Sequence, residues 1–178
     1  MSHAMIDHFR TLARYHVWAT RTLLEQSIAR LSETDYRRDC GLFFQSIHGT
    51  LNHLLVGEHL LWFSRFERGV SPGGIALDDE AETDRQRLSE RLLAAAQDWE
   101  PYICTLTDER LAGNFSYTSS KGVALTLPFS ATLAHVFNHA THHRGQISAA
   151  LTMMGHPGPV LDMVYMLQDE QARSRQQQ

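Results

Sequence analysis

The sequence predicts an all-α protein: a four-helix bundle with a short hairpin or extended loop between helices three and four, and a short C-terminal helix. Apolar residues recur at spacings of three and four through four long segments, which polar or Gly/Pro-containing stretches separate. One short stretch alternates apolar and polar residues instead. With 178 residues, 43% of them hydrophobic, the chain has the size of one domain. We predict that this domain spans residues 1–172 and that residues 173–178 form a disordered polar tail.

The first two helices follow from this periodicity. The first runs from Met5 to about Leu31, and a polar break with Asp35 and Asp39 as candidate caps follows it. The second spans approximately residues 43–68 and ends at GVSPGG, because Gly and Pro stop a helix.

The second half of the chain contains the remaining elements. The third helix begins near Asp79, with acidic residues in its first turns, where the helix dipole favours them. Within residues 111–127, NFSYTSSKGVALTL alternates like a short hairpin or an extended loop that covers the bundle. The fourth helix opens at LPFS and runs to Met154, before Gly155, and VLDMVYMLQDEQA predicts the last short helix.

Composition and motifs exclude several classes of function. The formal net charge of −4 gives no electrostatic footprint for nucleic acid or an anionic membrane. The first residues, MSHAMIDHFR, lack the pattern of a secretory signal, and the apolar runs are too short to span a bilayer. Cys40 and Cys104 form no CxxC motif and are expected to be reduced thiols in the cytoplasm. GxSxG, P-loop, GxGxxG and HExxH motifs are absent.

Histidine is over-represented, with 11 residues, as many as glycine. The densest group is HVFNHATHHRGQ on the fourth helix, where His135, His139 and His143 are four residues apart and share one face. Two imidazoles at this spacing can reach the same divalent ion. The plain alternative is a solvated or hydrogen-bonded polar strip. The second helix offers a third ligand in His53, which has Gly49 and Gly57 four residues to either side.

Three neutral imidazoles that leave coordination positions open are typical of catalytic rather than structural zinc sites. The other histidines of the second helix, His48 and His59, lie off the face of His53. On the first helix, His16 is better explained as a hydrogen-bonded core residue.

These segments resemble a known family. WAT.RTLL on the first helix, GTLNHLL…EHLLW on the second and HVFNHATHHRGQ on the fourth are similar to the DinB-like bacterial proteins of the DinB/YfiT superfamily, over nearly the whole chain. The resemblance implies a four-helix bundle, a homodimer and a divalent metal ion held by His53, His139 and His143. Thr20 stands where relatives often have Asn, a difference that concerns a hydrogen bond and not the metal ligands.

The resemblance leaves the activity open, because some relatives resemble thiol-dependent transferases or metal-dependent hydrolases and many are known only to bind a metal; we expect a metal-dependent enzyme with a small-molecule substrate. The leading hypothesis is a thiol S-transferase: Zn²⁺ or Ni²⁺ activates a low-molecular-weight thiol, which attacks a small electrophile. The first alternative is a hydrolase that uses a metal-bound water. The second is a non-enzymatic metal-binding stress protein, because fold and metal do not decide the reaction.

Secondary expectations concern neighbouring residues. His142 or Asn138 is expected to orient the ligating imidazoles from a flanking position. Asp162 on the last helix could reach a pocket, although capping is the simpler role. An exposed part of a helix carrying Phe63 or Phe66 is expected to supply the apolar patch of a homodimer.

Overall fold

A computed structural model describes residues 4–119 and 121–176, and it is mostly helical, with one two-stranded sheet. The first bundle helix consists of α1 (Ala4–Thr22), a π-helical turn (Leu23–Ser27) and a 3₁₀ turn (Ile28–Arg30), close to the predicted span. A short helix α2 (Glu33–Arg37) lies in the predicted polar break. Its cap is Ser32, whose side chain accepts the N–H of the candidate cap Asp35.

The second bundle helix consists of α3 (Ile47–Leu54), a π-helical segment (Leu55–Phe63) and α4 (Ser64–Arg68). It begins four residues later than predicted, because Gln45 adopts a left-handed conformation with φ 65° and forms a turn before the helix. The side chain of Ser46 then caps the helix by accepting the N–H of Gly49.

The third bundle helix consists of α5 (Arg85–Gln97) and α6 (Trp99–Cys104). It begins later than the predicted start near Asp79, with Asp84 as its cap. The reason is Asn52, whose side-chain amide accepts the N–H of Glu82 and donates to its carbonyl, at 2.9 and 3.0 Å. Backbone groups paired in this way are unavailable to a helix.

A short helix α7 (Asp108–Ala112), which the sequence does not predict, precedes the hairpin. Strands β1 (Asn114–Thr118) and β2 (Ala124–Pro128) pair antiparallel, as the alternating pattern predicts. The fourth bundle helix is α8 (Phe129–Met153), and it ends before Gly155 in the left-handed conformation that favours glycine. The predicted all-α four-helix bundle with an intervening hairpin is therefore confirmed.

The last helix α9 (Met163–Gln176) begins and ends a few residues later than predicted. Most of the proposed disordered tail at 173–178 is helical, and residues 177–178 lie outside the described part of the chain. This helix is attached to the first bundle helix, where Arg14 Nε donates to Glu170 Oε1 at 2.8 Å. In the described residues, no helix combines the length and the apolar character needed to cross a bilayer.

An aromatic cluster fills the core between the second helix, the third helix and the hairpin. Phe63 and Phe66 are only 8% and 7% exposed, and both pack against Trp99 with ring centroids 5.0 and 6.0 Å away. Phe66 also stacks on Phe115 of β1 at 4.3 Å. The expectation that these residues form an exposed patch is wrong, because the third helix and the hairpin cover them.

Candidate metal centre

Three imidazole nitrogens from two bundle helices converge on one point. His53 belongs to the second helix, and His139 and His143 belong to the fourth. The Nε2 atom of His139 lies 3.0 Å from that of His53 and 3.1 Å from that of His143. All three ligand atoms lie within 4.8 Å of one another. Imidazoles that hold one ion tetrahedrally at about 2.0–2.1 Å place their nitrogens about 3.3–3.4 Å apart, so the distances suit a single ion.

The opposite nitrogen of each ring fixes which nitrogen carries the proton. Each Nδ1 lies at hydrogen-bond distance from an oxygen. These oxygens are the Leu77 carbonyl for His53 (2.8 Å), Glu58 Oε1 for His139 (3.2 Å) and Gln146 Oε1 for His143 (2.7 Å). Because oxygen accepts, each Nδ1 donates its N–H and each Nε2 keeps a lone pair. Three lone pairs that face one another repel, and a cation between them removes the repulsion, so the donor set fits a divalent metal ion.

The surroundings also keep two of the ligands, His53 and His143, neutral. Burial lowers the pKa of His53 below its ordinary value, and burial together with the neighbouring His139 lowers the pKa of His143 to about 4. These imidazoles are therefore uncharged at neutral pH, as metal ligands must be.

The π-helical segment explains how Glu58 reaches His139. In a regular α-helix, a residue five positions after His53 lies about 140° around the axis, away from the imidazoles. Glu58 instead lies in the segment Leu55–Phe63, whose i→i+5 hydrogen bonds bring such a residue back toward the same face. The Glu58 side chain is buried, with 4% of the residue exposed, and it contacts Nδ1 of His139.

Glu58 also joins a buried polar cluster that links three bundle helices. The other carboxylate oxygen, Oε2, lies 3.6 Å from Nε2 of His16, and Arg144 Nη1 donates to Nδ1 of His16 at 3.0 Å. Burial and the charge of Arg144 hold the pKa of His16 well below its ordinary value, so this ring is neutral and presents its Nε2–H to Glu58. Burial raises the pKa of Glu58, while the hydrogen bond from His139 and the charge of Arg144 oppose this shift.

The contact between Glu58 and His139 leads to a testable expectation. Glu58→Gln keeps an oxygen acceptor but removes the negative charge that increases the basicity of the imidazole, so we expect metal affinity to fall about 10–100-fold. Competition with a chromophoric chelator measures this affinity. Glu67→Gln is the matched control, since Glu67 lies on the same bundle helix with its side chain 49% exposed. Equal affinities for the two variants would contradict a role for Glu58.

Phe44 covers the first ligand, and Gly49 makes this possible. The Phe44 ring stacks on His53 with centroids 3.8 Å apart and planes at 16°. A Cβ atom on Gly49 would overlap the backbone carbonyl of Phe44, whereas a Cβ on Gly57 would lie at ordinary contact distances from His139 (3.5 Å) and His53 (3.8 Å). The two glycines therefore differ: the space beside Gly49 is filled by the Phe44 backbone, and Gly57 faces the imidazoles.

This close approach predicts a stability effect. Gly49→Ala must displace the Phe44 turn, and we expect a loss of about 1–3 kcal/mol, the usual cost of overpacking. For a chain of this size, each kcal/mol lowers Tm by about 2–4 °C. Gly145→Ala on the fourth helix is the control, because a Cβ there meets nothing within 4 Å, and alanine is expected to stabilise a helix interior by about 0.5–1 kcal/mol. An unchanged Tm for Gly49→Ala would refute the steric argument.

Comparisons with known proteins agree with this architecture. The family model described as the DinB family matches residues 5–176. The chain belongs to the DinB family. Protein DinB from Bacillus subtilis (strain 168) is 26% identical over 174 residues, which cover 94% of this chain and all of the relative. The structure of YfiT from Bacillus subtilis, described as a probable metal-dependent hydrolase with an unusual four-helix bundle topology, shares the fold. Its TM-score is 0.64 at 17% identity, over 88% of this chain and 91% of YfiT.

In this DinB-family protein, the residues that orient the three imidazoles differ from those that the sequence suggests. His142 is exposed with its ring 4.9 Å from that of His143, and Asn138 is exposed one position before His139. Within residues 4–119 and 121–176, neither side chain forms a hydrogen bond to the three imidazoles. The acceptors are Leu77, Glu58 and Gln146, as described above.

Of these three acceptors, two had a signal in the sequence. Glu58 is a lone acidic residue in the apolar run LLVGEHLLW, where burial of a carboxylate requires a partner. Gln146 lies three residues after His143 on the same helix. Leu77 acts through its backbone, so its identity carries no signal.

The remaining histidines of the second helix stay apart from the centre. His48 is buried, and its two nitrogens contact the Tyr36 hydroxyl at 3.1 Å and Glu80 Oε1 at 2.6 Å. His59 lies 3.8 Å from a carboxylate oxygen of Asp98 on the other side of the helix. Neither belongs to the convergent group.

Proposed function

We propose that this protein is a metal-dependent enzyme in which His53, His139 and His143 bind one divalent ion, with Zn²⁺ or Ni²⁺ as the best candidates. The observation that carries the proposal is the convergence of three Nε2 lone pairs, each fixed by an acceptor on the opposite nitrogen. Three protein ligands leave part of the coordination sphere open, as in catalytic zinc sites. A divalent ion in such a site lowers the pKa of a water or thiol, so that either becomes a nucleophile near neutral pH.

The protein supports such a reaction by orientation and access. The backbone of Leu77 and the side chain of Glu58 hold two of the rings in fixed directions. The side chain of His139 is 18% exposed, so a small molecule can reach the centre. The exposed His135 lies beside His139, with the two ring centroids 5.7 Å apart.

Two reactions fit the site and differ in their nucleophile. Hydrolysis uses water, and the description of YfiT as a probable metal-dependent hydrolase supports this reaction. Transfer of a small electrophile to a low-molecular-weight thiol uses the same open site, and the affinity of sulfur for zinc and nickel supports this second candidate.

One experiment tests the proposal and separates the two reactions. The metal-loaded protein is incubated with a nitrophenyl ester and with an alkyl halide, with and without cysteine, glutathione or coenzyme A. Thiol-independent product indicates hydrolysis, and product that requires a thiol indicates transfer. Turnover that persists in His139→Ala would contradict the proposed centre. No turnover of either electrophile would favour the non-enzymatic metal-binding function.

We further propose that the protein is a cytoplasmic homodimer. Val164 and Leu167 on the last helix are 52% and 44% exposed, and they offer the apolar surface that Phe63 and Phe66 do not. The described cysteines are both free, which suits a reducing compartment. Light scattering that shows a monomer at working concentration would contradict the dimer.

A further inference from the structure

Arg65 on the second bundle helix is a buried cation beside two aromatic rings. The residue is 5% exposed, and its Cζ atom lies 4.6 Å from the Trp62 ring centroid and 4.8 Å from that of Tyr117. These two centroids are only 5.2 Å apart. Both rings therefore pack against the same side of the guanidinium.

The charge of Arg65 lacks a counter-ion in the described part of the chain. Nε donates to Ser71 Oγ at 2.9 Å, but no described carboxylate lies within 4.0 Å and no described acceptor binds the Nη groups. In the described part of the chain, the fully buried side-chain nitrogens that lack a hydrogen-bond partner belong to residues other than Arg65. The Nη groups of Arg65 therefore keep some contact with solvent. A buried cation is normally paired with an anion, and ring faces offset only part of its lost hydration.

A row of aromatic contacts connects Arg65 to the metal centre. Trp62 contacts the ring of His135 at 5.3 Å, and His135 contacts the ring of His139 at 5.7 Å. Three contacts in succession thus separate the guanidinium from the ligand. A molecule that reaches from one to the other is about 10–15 Å long, the length of an extended peptide of three or four residues.

We propose that Arg65 binds a carboxylate of the substrate, so that the enzyme acts on elongated monoanionic molecules whose reacting end lies at the three-histidine centre. The planar fork of an arginine matches a carboxylate with two parallel hydrogen bonds. Because one unpaired guanidinium balances one negative charge, the expected substrate carries a single carboxylate. The assignment of the reacting end rests on the proposed function, whereas the anion site rests on Arg65 and its surroundings.

A series of thiols of increasing length tests this proposal. Cobalt-loaded protein is titrated with ω-mercaptocarboxylates and with ω-mercaptoalcohols of the same chain lengths, and the sulfur-to-cobalt absorption band reports binding. We expect the carboxylate to bind about 10–100-fold more tightly than the alcohol at one matched length, because a charge-assisted pair forms only there. The affinity for the mercaptoalcohols is expected to be the same in the wild type and in every Arg65 variant.

Three variants complete the test. Arg65→Met is expected to remove the carboxylate advantage, and Arg65→Lys to retain part of it. Arg68→Met, which removes an exposed charge on the same helix, is expected to leave it unchanged. If wild-type protein binds carboxylates and alcohols equally at every length, the Arg65 proposal is wrong although the metal centre stands.

A second measurement covers the case in which no thiol binds the cobalt, which would count against the open metal site. Hexanoate is titrated into the wild-type and Arg65→Met proteins, and tryptophan fluorescence follows the environment of Trp62. A saturable change in the wild type that is absent in Arg65→Met supports the anion site without any metal. The same response in both proteins, or none in either, overturns it.

Discussion

His139→Ala is expected to abolish specific binding of a divalent ion. His139 is the central ligand, because its Nε2 atom lies 3.0 Å from that of His53 and 3.1 Å from that of His143. The substitution leaves two nitrogens and removes one of the two histidine contacts of the buried Glu58 carboxylate. We expect an affinity loss larger than the 10–100-fold that removal of an outer hydrogen-bond partner costs. Metal analysis after dialysis, together with chelator competition, measures the loss.

His142→Ala is the matched control for this experiment. It removes an imidazole from the same helix, but His142 is exposed and forms no hydrogen bond to the centre within the described residues. We expect its metal affinity to equal that of the wild type. A wild-type affinity in His139→Ala, or wild-type protein that binds no divalent ion more tightly than about micromolar, would refute the three-histidine site.

Removal of the ion is expected to lower thermal stability strongly. A ligand that binds the folded state alone stabilises it by about 4 kcal/mol at a concentration 1,000 times its Kd. For a protein of this length, each kcal/mol changes Tm by about 2–4 °C, so the expected decrease on adding a chelator is about 8–16 °C. Differential scanning calorimetry with and without metal measures this difference.

The same scans on His139→Ala provide the control. The variant is expected to unfold at the same temperature whether or not metal is present. A metal-dependent shift as large in the variant as in the wild type would place the stabilising ion elsewhere.

The periodicity of the chain predicts its long helices well but misses where two of them begin. The second helix starts late because Gln45 adopts a left-handed backbone conformation, which residues other than glycine rarely do. The third starts late because Asn52, 30 residues earlier in the chain, pairs with the backbone of Glu82. Contacts of this kind are tertiary, and a local pattern carries no information about them.

In the metal centre too, local helical spacing predicts some residues and misses others. The pair His139 and His143 follows from α-helical spacing, and the structure brings His53 to it. Glu58 does not follow, since regular helical geometry places it on another face and only the π-helical segment turns it toward His139. The surroundings of Arg65 do not follow from the sequence either, because Tyr117, one of the two rings that contact it, belongs to the distant hairpin.

The two halves of the centre are far apart along the chain, since His53 and His139 are 86 positions apart. An ion that binds only the folded state joins two segments whose approach closes a long loop, and folding itself must overcome the entropic cost of that closure. Such a long loop closes only after the second and fourth helices have docked. We expect binding to follow the rate-limiting step of folding, so that the ion slows unfolding and leaves the folding rate unchanged. The lifetime of the native state would then depend on how slowly the ion departs.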